Sequence, residues 1–307
     1  MEKLTEKIFR IIKKHYSTPE KLTITPLSGG MVNKVYLIKF SSHLHNERFV
    51  LKFSDSVNNG FEWEYKCLEV LNKQYKLSVP QPYFYSSYEP EISCSYLGME
   101  YWDATNMGMA YLLQEERKTI EIEIAESIAE LHKNTGSEYY TLFSNKRYKS
   151  LTDIMKSKYE ENMNKQVEDK IGKGPYKILL NILENLSKVF IENEKPVLVH
   201  GDIWSTNVMV YKKNNFYHLK GFIDPSPHFI NREYELAYLK VFGMFSQELF
   251  KYYSKIHKID DGFKVRIYFY WLHTMLVHVK YFGDLHYVLR TLELINICKN
   301  LLQEKNI

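Results

Sequence analysis

An aspartate, an asparagine five residues on, and a second aspartate beyond a hairpin are the residues of this chain whose types and spacing could do chemistry. They stand in Val199-His200-Gly201-Asp202-Ile203-Trp204-Ser205-Thr206-Asn207 and in Gly221-Phe222-Ile223-Asp224-Pro225. The chemistry this pattern can do is phosphoryl transfer. Asp202 could orient and deprotonate a hydroxyl. Asn207, a neutral ligand, and Asp224 could hold the magnesium that bridges the phosphates of ATP. A lone His-Gly-Asp occurs by chance, and a surface hairpin could carry Asp and Asn merely to solvate its ends. The full pattern is more specific, because the hairpin gives it a geometry.

Lys195 to His200 reads as a short apolar strand, Val208 to Tyr211 as a second, and Phe216 to Ile223 as a third. Lys212-Lys213-Asn214-Asn215 between the last two has the composition of a tight turn. A hairpin turning there brings its open ends together, so Asn207 and Asp224, 224 − 207 = 17 positions apart, meet at one end. His200 is expected to brace this loop through hydrogen bonds.

A kinase-type site also needs a cation for the phosphates. Val35 to Phe40 and Arg48 to Phe53 read as strands, and in the second Phe49, Leu51 and Phe53 share one face while Val50 and Lys52 share the other. Lys52 alone could be a strand-edge solubility residue. In the helix expected from Phe61 to Tyr75, Glu64 could pair with it and fix its position, with Glu62 as a competitor on another face. Upstream, Gly29 and Gly30 sit where a phosphate-covering loop belongs, since glycine lets backbone approach phosphate without a Cβ. Two glycines are as often only a turn, and the segment is neither Gly-x-Gly-x-x-Gly nor a Walker loop. A strand from Ser95 ends at a candidate hinge where Glu100 and Tyr101 would offer backbone groups to adenine, a placement resting on position alone.

The elements around these residues form a strand-rich first third and a helical remainder that carries one hairpin. Leu4, Ile8, Ile11 and Ile12 mark an opening amphipathic helix. From Leu112 onward helices dominate, with an apolar face at Ile124, Ile128 and Leu131 ending at His132, a structural histidine. Two helices are expected across 150–193, interrupted at Gly172, and more from Arg232 to the end. This is an α+β fold of two lobes, residues 1–101 binding nucleotide and 102–307 carrying the catalytic loop, metal site and acceptor pocket. With 307 residues the chain is long enough for both.

Composition excludes little. Hydrophobic content is 45% and charged content 25%, ordinary values for a globular protein, and the net charge of 41 − 37 = +4 does not call for nucleic acid. Three cysteines, Cys67, Cys94 and Cys298, lack metal-ligand spacing and fit a reducing compartment. Met1 to Lys7 lacks a secretory apolar core, and Phe269 to Val279 is broken by His273 and His278, so neither secretion nor a membrane span is expected. The expected location is cytoplasmic.

The order of a glycine loop, Lys52, Glu64, a hinge, Leu131-His132, the Asp202 loop and Asp224 resembles the aminoglycoside phosphotransferase and protein-kinase-like superfamily. Within it, the Asp202 loop is similar to the His-Gly-Asp-Leu-Trp-Ser-Gly-Asn of fructosamine and ketosamine kinases. Phe222 to Ser226 resembles that family's Phe-Ile-Asp-Pro-Ala, and Asn231 to Ala237 its His-Arg-Glu-x-Asp-Leu-Ala. Leu276 to Gly283 also fits; residues 134–195 carry little of the likeness. The resemblance implies a protein-kinase-like fold, ATP and magnesium as cofactors, and a ketosamine, or glycated amine, phosphorylated on a sugar hydroxyl. It implies that Trp204 stands beside the acceptor pocket, and that Arg232 buttresses the metal loop or contacts the acceptor. Thr206, Asn231 and Glu235 depart from the pattern; the longer carboxylate of Glu235 would shift a helix cap or an Arg pairing by a methylene. An aminoglycoside or other antibiotic phosphotransferase is the competing enzyme. A catalytically silent nucleotide-binding protein is the other alternative, and the presence of Lys52, Asp202, Asn207 and Asp224 argues against it.

Overall fold

The computed structural model describes residues 2–27, 33–43, 46–58, 60–190 and 194–304. In chain order its first part holds α1 (Glu2–His15), β1 (Lys21–Pro26), β2 (Lys34–Ser41), β3 (Asn46–Ser54), α2 (Gly60–Lys73), β4 (Pro82–Glu89), β5 (Cys94–Glu100) and β6 (Thr105–Asn106). Then come α3 (Gln114–Leu131), β7 (Tyr140–Thr141), α4 (Leu151–Glu160), α5 (Lys165–Ile171), α6 (Lys173–Glu184), β8 (Val197–Val199), β9 (Val208–Lys213) and β10 (Phe216–Phe222). The chain closes with β11 (His228–Ile230), α7 (Glu233–Val241), α8 (Gln247–Ile256), α9 (Phe263–Tyr281) and α10 (Leu285–Glu304). This is α+β, with strands gathered early and helices late.

Internal contacts divide the chain into two units, Met1–Leu113 with Ser205–Pro225, and Gln114–Trp204 with Ser226–Ile307. The sequence puts its lobe boundary after residue 101. The contacts divide the chain after Leu113 and join the hairpin to the strand-rich unit, because β9 pairs with β6 in a small sheet of order β10-β9-β6.

The strand-rich unit is built on an antiparallel sheet of order β1-β2-β3-β5-β4. The alternation in β3 sorts its side chains as the sequence implies. Phe49, Leu51 and Phe53 are at most 1% exposed and pack in one cluster with Ile8, Ile11 and Ile12 of α1. Lys52, between them in sequence, is carried to the opposite face, where α2 packs through Phe61, Cys67, Leu68 and Leu71. Two strands escaped the sequence pattern. β1 has an exposed-intermediate alternation and no large apolar run. β4 begins at Pro82 and lies half-exposed at the sheet edge, the place where a strand tolerates proline.

The helical unit holds the sheet β7-β11-β8 among α3 to α10. Helix α3 packs on α8, and α9 on α7 and α10. Three helices, not the expected two, cover 151–184. Asn164 adds a second interruption by capping α5, its side chain accepting the Val167 N–H at 3.0 Å. No helix among the described residues is long and apolar enough to cross a membrane.

The aromatic cluster under β3 gives the first test. Phe49→Ala empties a fully buried site and is expected to cost about 3–5 kcal/mol in denaturant unfolding. An unchanged midpoint would show that α1 does not depend on this cluster.

Candidate active site

In the strand-rich unit, Lys52 meets two carboxylates. Its Nζ lies 2.6 Å from Oε1 of Glu64 and also bonds Oδ1 of Asp224. Glu64 falls on the buried face of α2, between Phe61 and Cys67, with its side chain 13% exposed. Glu62, two residues earlier, points to the exposed face and pairs with Lys66 at 2.6 Å. The choice between the two acids is thereby made for Glu64. Burial works to discharge Lys52, but the attraction of Asp224 and Glu64 outweighs it and holds the ammonium above its ordinary pKa. Burial, helped by the charge of Asp224, pushes the Glu64 carboxyl up against the pull of Lys52. The lysine stays charged, and two carboxylates share its single positive charge.

Asp224 arrives there through the hairpin. The β9-β10 pairing closes at Phe222↔Val208, and the Ile223 N–H donates to the Asn207 carbonyl at 2.9 Å. Asn207 and Asp224 therefore flank the same hairpin end, as the spacing implies. The turn falls at Asn214 and Asn215, both in the left-handed region. Asp224 also has a positive φ, +56°. Left-handed backbone at a non-glycine residue costs about 1–3 kcal/mol and gathers at functional sites. At Gly221 the ladder shifts register and the Ser78 carbonyl comes so close that a Cβ would lie 2.2 Å from it. Ser78 accepts the Phe222 N–H at 2.9 Å and donates its hydroxyl to the Lys220 carbonyl at 2.6 Å, clamping the strand that delivers Asp224.

The donors at this end suit magnesium. Asp224 supplies a carboxylate with a side chain 41% exposed, and Asn207 a neutral amide, against one lysine already shared. Among the described residues there is no cluster of three acidic, histidine or cysteine ligands that would cage a metal without substrate. One carboxylate and one amide are a set that magnesium completes with water and phosphate oxygens.

Asp202 belongs to the helical unit. Its loop is held by Glu235, a fully buried carboxylate on α7. Glu235 accepts the His200 N–H at 2.9 Å and the Gly201 N–H at 2.8 Å. His132 Nε2 lies 3.2 Å from the same carboxylate, and its Nδ1 2.6 Å from the Tyr253 hydroxyl. Burial opposes ionisation of Glu235, yet the bonds and charge of its donors hold its pKa below the usual value. Burial also keeps His132 neutral, against the pull of Glu235. The network then fixes one tautomer: His132 donates from Nε2 to Glu235 and accepts from Tyr253 at Nδ1. Glu235, noted in the sequence only as a longer carboxylate than the family pattern has, anchors the loop backbone.

Gly201 has φ +84°, and a Cβ there would lie 2.0 Å from the Ser226 carbonyl oxygen. Only glycine can make this turn. The Asp202 N–H donates to His200 Nδ1 at 3.3 Å, and Ser226 N–H to the His200 carbonyl at 2.8 Å, so His200 braces the loop. The Tyr238 hydroxyl donates to Asp202 Oδ1. Burial, with the charge of Asp202, keeps Tyr238 protonated and therefore a donor. Sequence reasoning missed Tyr238. Its signal was the spacing: Glu235 and Tyr238 stand three apart on α7, so the helix face that anchors the loop also faces its aspartate.

The remaining expected residues fall as follows. Gly29 and Gly30 lie outside the described residues. Glu100 ends β5, and its N–H donates to the Gln81 carbonyl at 2.8 Å, so that N–H is not a donor for adenine. Tyr101 follows, with the Arg48 guanidinium over its ring. Trp204 lies 6.4 Å from the Phe242 ring, which in turn neighbours Tyr238 and His278. Arg232 pairs with Glu194 at 2.7 Å, and its charge acts on Tyr253 and His132, the residues behind Glu235.

This architecture is protein-kinase-like. It is similar to a crystal structure from Haemophilus somnus 129PT named provisionally as a fructosamine-3-kinase, at TM-score 0.73 and 18% identity over 96% of this chain and 97% of that one. It is also similar to aminoglycoside phosphotransferase APH(4)-Ia, at TM-score 0.63 and 14% identity over 96% and 98% of the two chains. Residues 4–302 match the fructosamine kinase family model, and the chain belongs to that family. A probable ketoamine kinase of Enterococcus faecium is 27% identical over 85% of this chain and 90% of its own length. By family, then, this chain is a kinase.

Two tests follow from the loop. Gly201→Ala is expected to lose about 1–3 kcal/mol to the left-handed backbone alone, with more from the clash, and to depress turnover with it. Normal stability and turnover in that variant would contradict the strained turn. The buried histidines set a pH dependence. His132, His228 and His273 are all pulled below 6.5, first by burial, and His273 to about 3. The unfolded chain takes up protons at these residues before the folded one does, so stability falls as pH drops below about 6.5. The denaturant midpoint should therefore be lower near pH 5 than near pH 7 (both rough values). A flat profile would mean these rings are not buried neutral.

Proposed function

We propose that this protein transfers the γ-phosphoryl group of ATP to a sugar hydroxyl of a ketosamine, a fructosamine or ribulosamine adduct of an amine. The observation that carries the reaction type is the meeting of Lys52, Glu64 and Asp224, with Lys52 and Asp224 172 positions apart in sequence. The acceptor class is supported by the family match over residues 4–302. ATP is supported by the same membership, and APH(4)-Ia was crystallised with AMP-PNP and hygromycin B. An aminoglycoside acceptor has only the shared fold behind it. A cytoplasmic setting, where ATP and reduced thiols coexist, is part of the same proposal.

In this mechanism Asp202 accepts the proton of the attacking hydroxyl, and Tyr238 holds its carboxylate in register. Lys52 neutralises charge on the α- and β-phosphates, and Glu64 keeps it aimed. Gly29 and Gly30 would cover the phosphates, and the Glu100–Tyr101 backbone would meet adenine. Asn207 and Asp224 would hold magnesium, which when bound offsets charge on the phosphates. Trp204 would present a ring face to the sugar. Arg232, paired with Glu194, would support the loop from behind rather than touch the acceptor.

The test is Mg-ATP consumption against fructosyl- and ribulosyl-amines and a set of aminoglycosides. Turnover on the ketosamines is expected; turnover on aminoglycosides alone would overturn the acceptor and leave the reaction type. Asp202→Asn should lower kcat by at least about a hundredfold with the circular dichroism unchanged. Retained activity would remove Asp202 from the mechanism. Asp224→Ala should weaken Mg-ATP binding in calorimetry, and equal affinity would argue against its metal role.

A further inference from the structure

Beside the Asp202 loop, the helical unit holds a polar cluster that phosphoryl transfer does not use. Lys158 on α4 brings its Nζ to 2.5 Å from Nε2 of His228 on β11, and to 5.1 Å from the centre of the Tyr234 ring on α7. His228 Nδ1 lies 2.5 Å from the Ser226 carbonyl and donates to it, which leaves Nε2 as the acceptor for Lys158. The cluster adjoins the loop directly. A Cβ on Gly201 would lie 3.2 Å from His228 Nδ1, and the charge of Asp202 acts on Tyr234.

Lys158 has a neutral partner, and no salt bridge to it is found among the described residues. Glu161 is the acid whose charge acts on it, and that carboxylate lies 3.9 Å from Lys146 instead. Burial pulls the Lys158 ammonium down to about 8, against the weaker pull of Glu161. Two further polar atoms nearby are buried without a hydrogen-bond partner among the described residues: Nδ1 of His273 and the hydroxyl of Tyr270. Their residues are 4% and 1% exposed, and both rings lie about 6 Å from Tyr234, at 6.0 and 6.1 Å. Buried polar atoms are rarely left unmatched. Here they accompany a part-buried cation whose partner, His228, lies against the loop that carries the expected proton acceptor.

We propose that Lys158 binds a carboxylate on the amine half of the acceptor, so that the preferred substrates are ketosamines of free α-amino acids rather than of neutral amines. This rests on the ketosamine acceptor proposed above. A monoanion fits the charge present: one ammonium supplies a single positive charge, and His228 and His273 are held neutral by burial, so nothing here would balance a second negative charge. The hydroxyl at Asp202 and the carboxylate at Lys158 would be two ends of one small molecule.

The experiment compares fructosyl-glycine with fructosyl-glycinamide, in the wild type and in Lys158→Met and Lys158→Arg. KM is measured with Mg-ATP, and binding by calorimetry without nucleotide. The wild type should favour the carboxylate by at least about tenfold in KM, the worth of one charge-assisted hydrogen bond. Lys158→Met should bring the ratio of the two KM values to about one, whatever its absolute rate, and Lys158→Arg should keep the preference. Turnover with equal KM for the two acceptors in the wild type overturns the carboxylate site and leaves the ketosamine kinase standing. Tighter calorimetric binding of fructosyl-glycine that is lost in Lys158→Met, without turnover on either compound, overturns the reaction and leaves the site. Neither binding nor turnover overturns both. If Lys158→Met fails to fold by circular dichroism, the wild-type and Lys158→Arg comparisons decide.

Discussion

One carboxylate without access to water fixes the backbone on which Asp202, the proposed proton acceptor, stands. Glu235 accepts two successive amides, His200 and Gly201, and a ring nitrogen of His132. A buried charge is tolerable only when its oxygens are fully matched, and these three donors match it. The consequence runs outward. His132 must be neutral and in one tautomer, Tyr253 must point its hydroxyl at that ring, and residue 201 must be glycine. The first two demands come from the buried carboxylate and the third from the left-handed turn against the Ser226 carbonyl, and together they tie the loop to the helical unit. Tyr238 extends the arrangement to the side chain of Asp202 itself.

The strand-rich unit solves a different problem by different means. There the groups that meet are a lysine and two acids. One ammonium serves two carboxylates, of which Glu64 is mostly covered and Asp224 is substantially exposed. Glu64 is the fixed partner, set in α2 between Phe61 and Cys67. Asp224 is the more exposed one, at a hairpin end and in a backbone conformation that side chains seldom adopt. Two acids beside one ammonium leave this place short of positive charge, which is why the proposed function puts a cation here.

Much of this was legible in the sequence because it follows from short-range periodicities. Alternation in β3 separates Lys52 from Phe49, Leu51 and Phe53, and a polar tetrapeptide locates the hairpin turn that brings Asn207 to Asp224. The protein-kinase-like fold and the family were legible from motifs in fixed order. What failed to show was long-range or faintly patterned. β1 and β4 are half-exposed strands with little apolar signal. The choice of Glu64 over Glu62 depends on which helix face meets the sheet. Glu235 was visible only as a departure from a motif, since nothing local says that a glutamate will bond amides 34 and 35 positions earlier. Lys158 and His228 lie 70 positions apart, in segments without a recognisable motif.

The strand-rich unit is made of two stretches of chain, and this bears on the order in which the protein can assemble during synthesis. The five-stranded sheet leaves the ribosome within the first 113 residues, but β9, β10 and Asp224 follow only after the 204 − 113 = 91 residues from Gln114 to Trp204. At ordinary elongation rates that is a wait on the order of ten seconds. During it, β6 has no strand to pair with, and Lys52 has Glu64 alone. The Lys52–Asp224 contact, across 172 positions, carries a large loop-closure cost and belongs among the last to form. A nascent chain released before residue 224 would therefore possess the sheet and lack the second carboxylate that Lys52 meets.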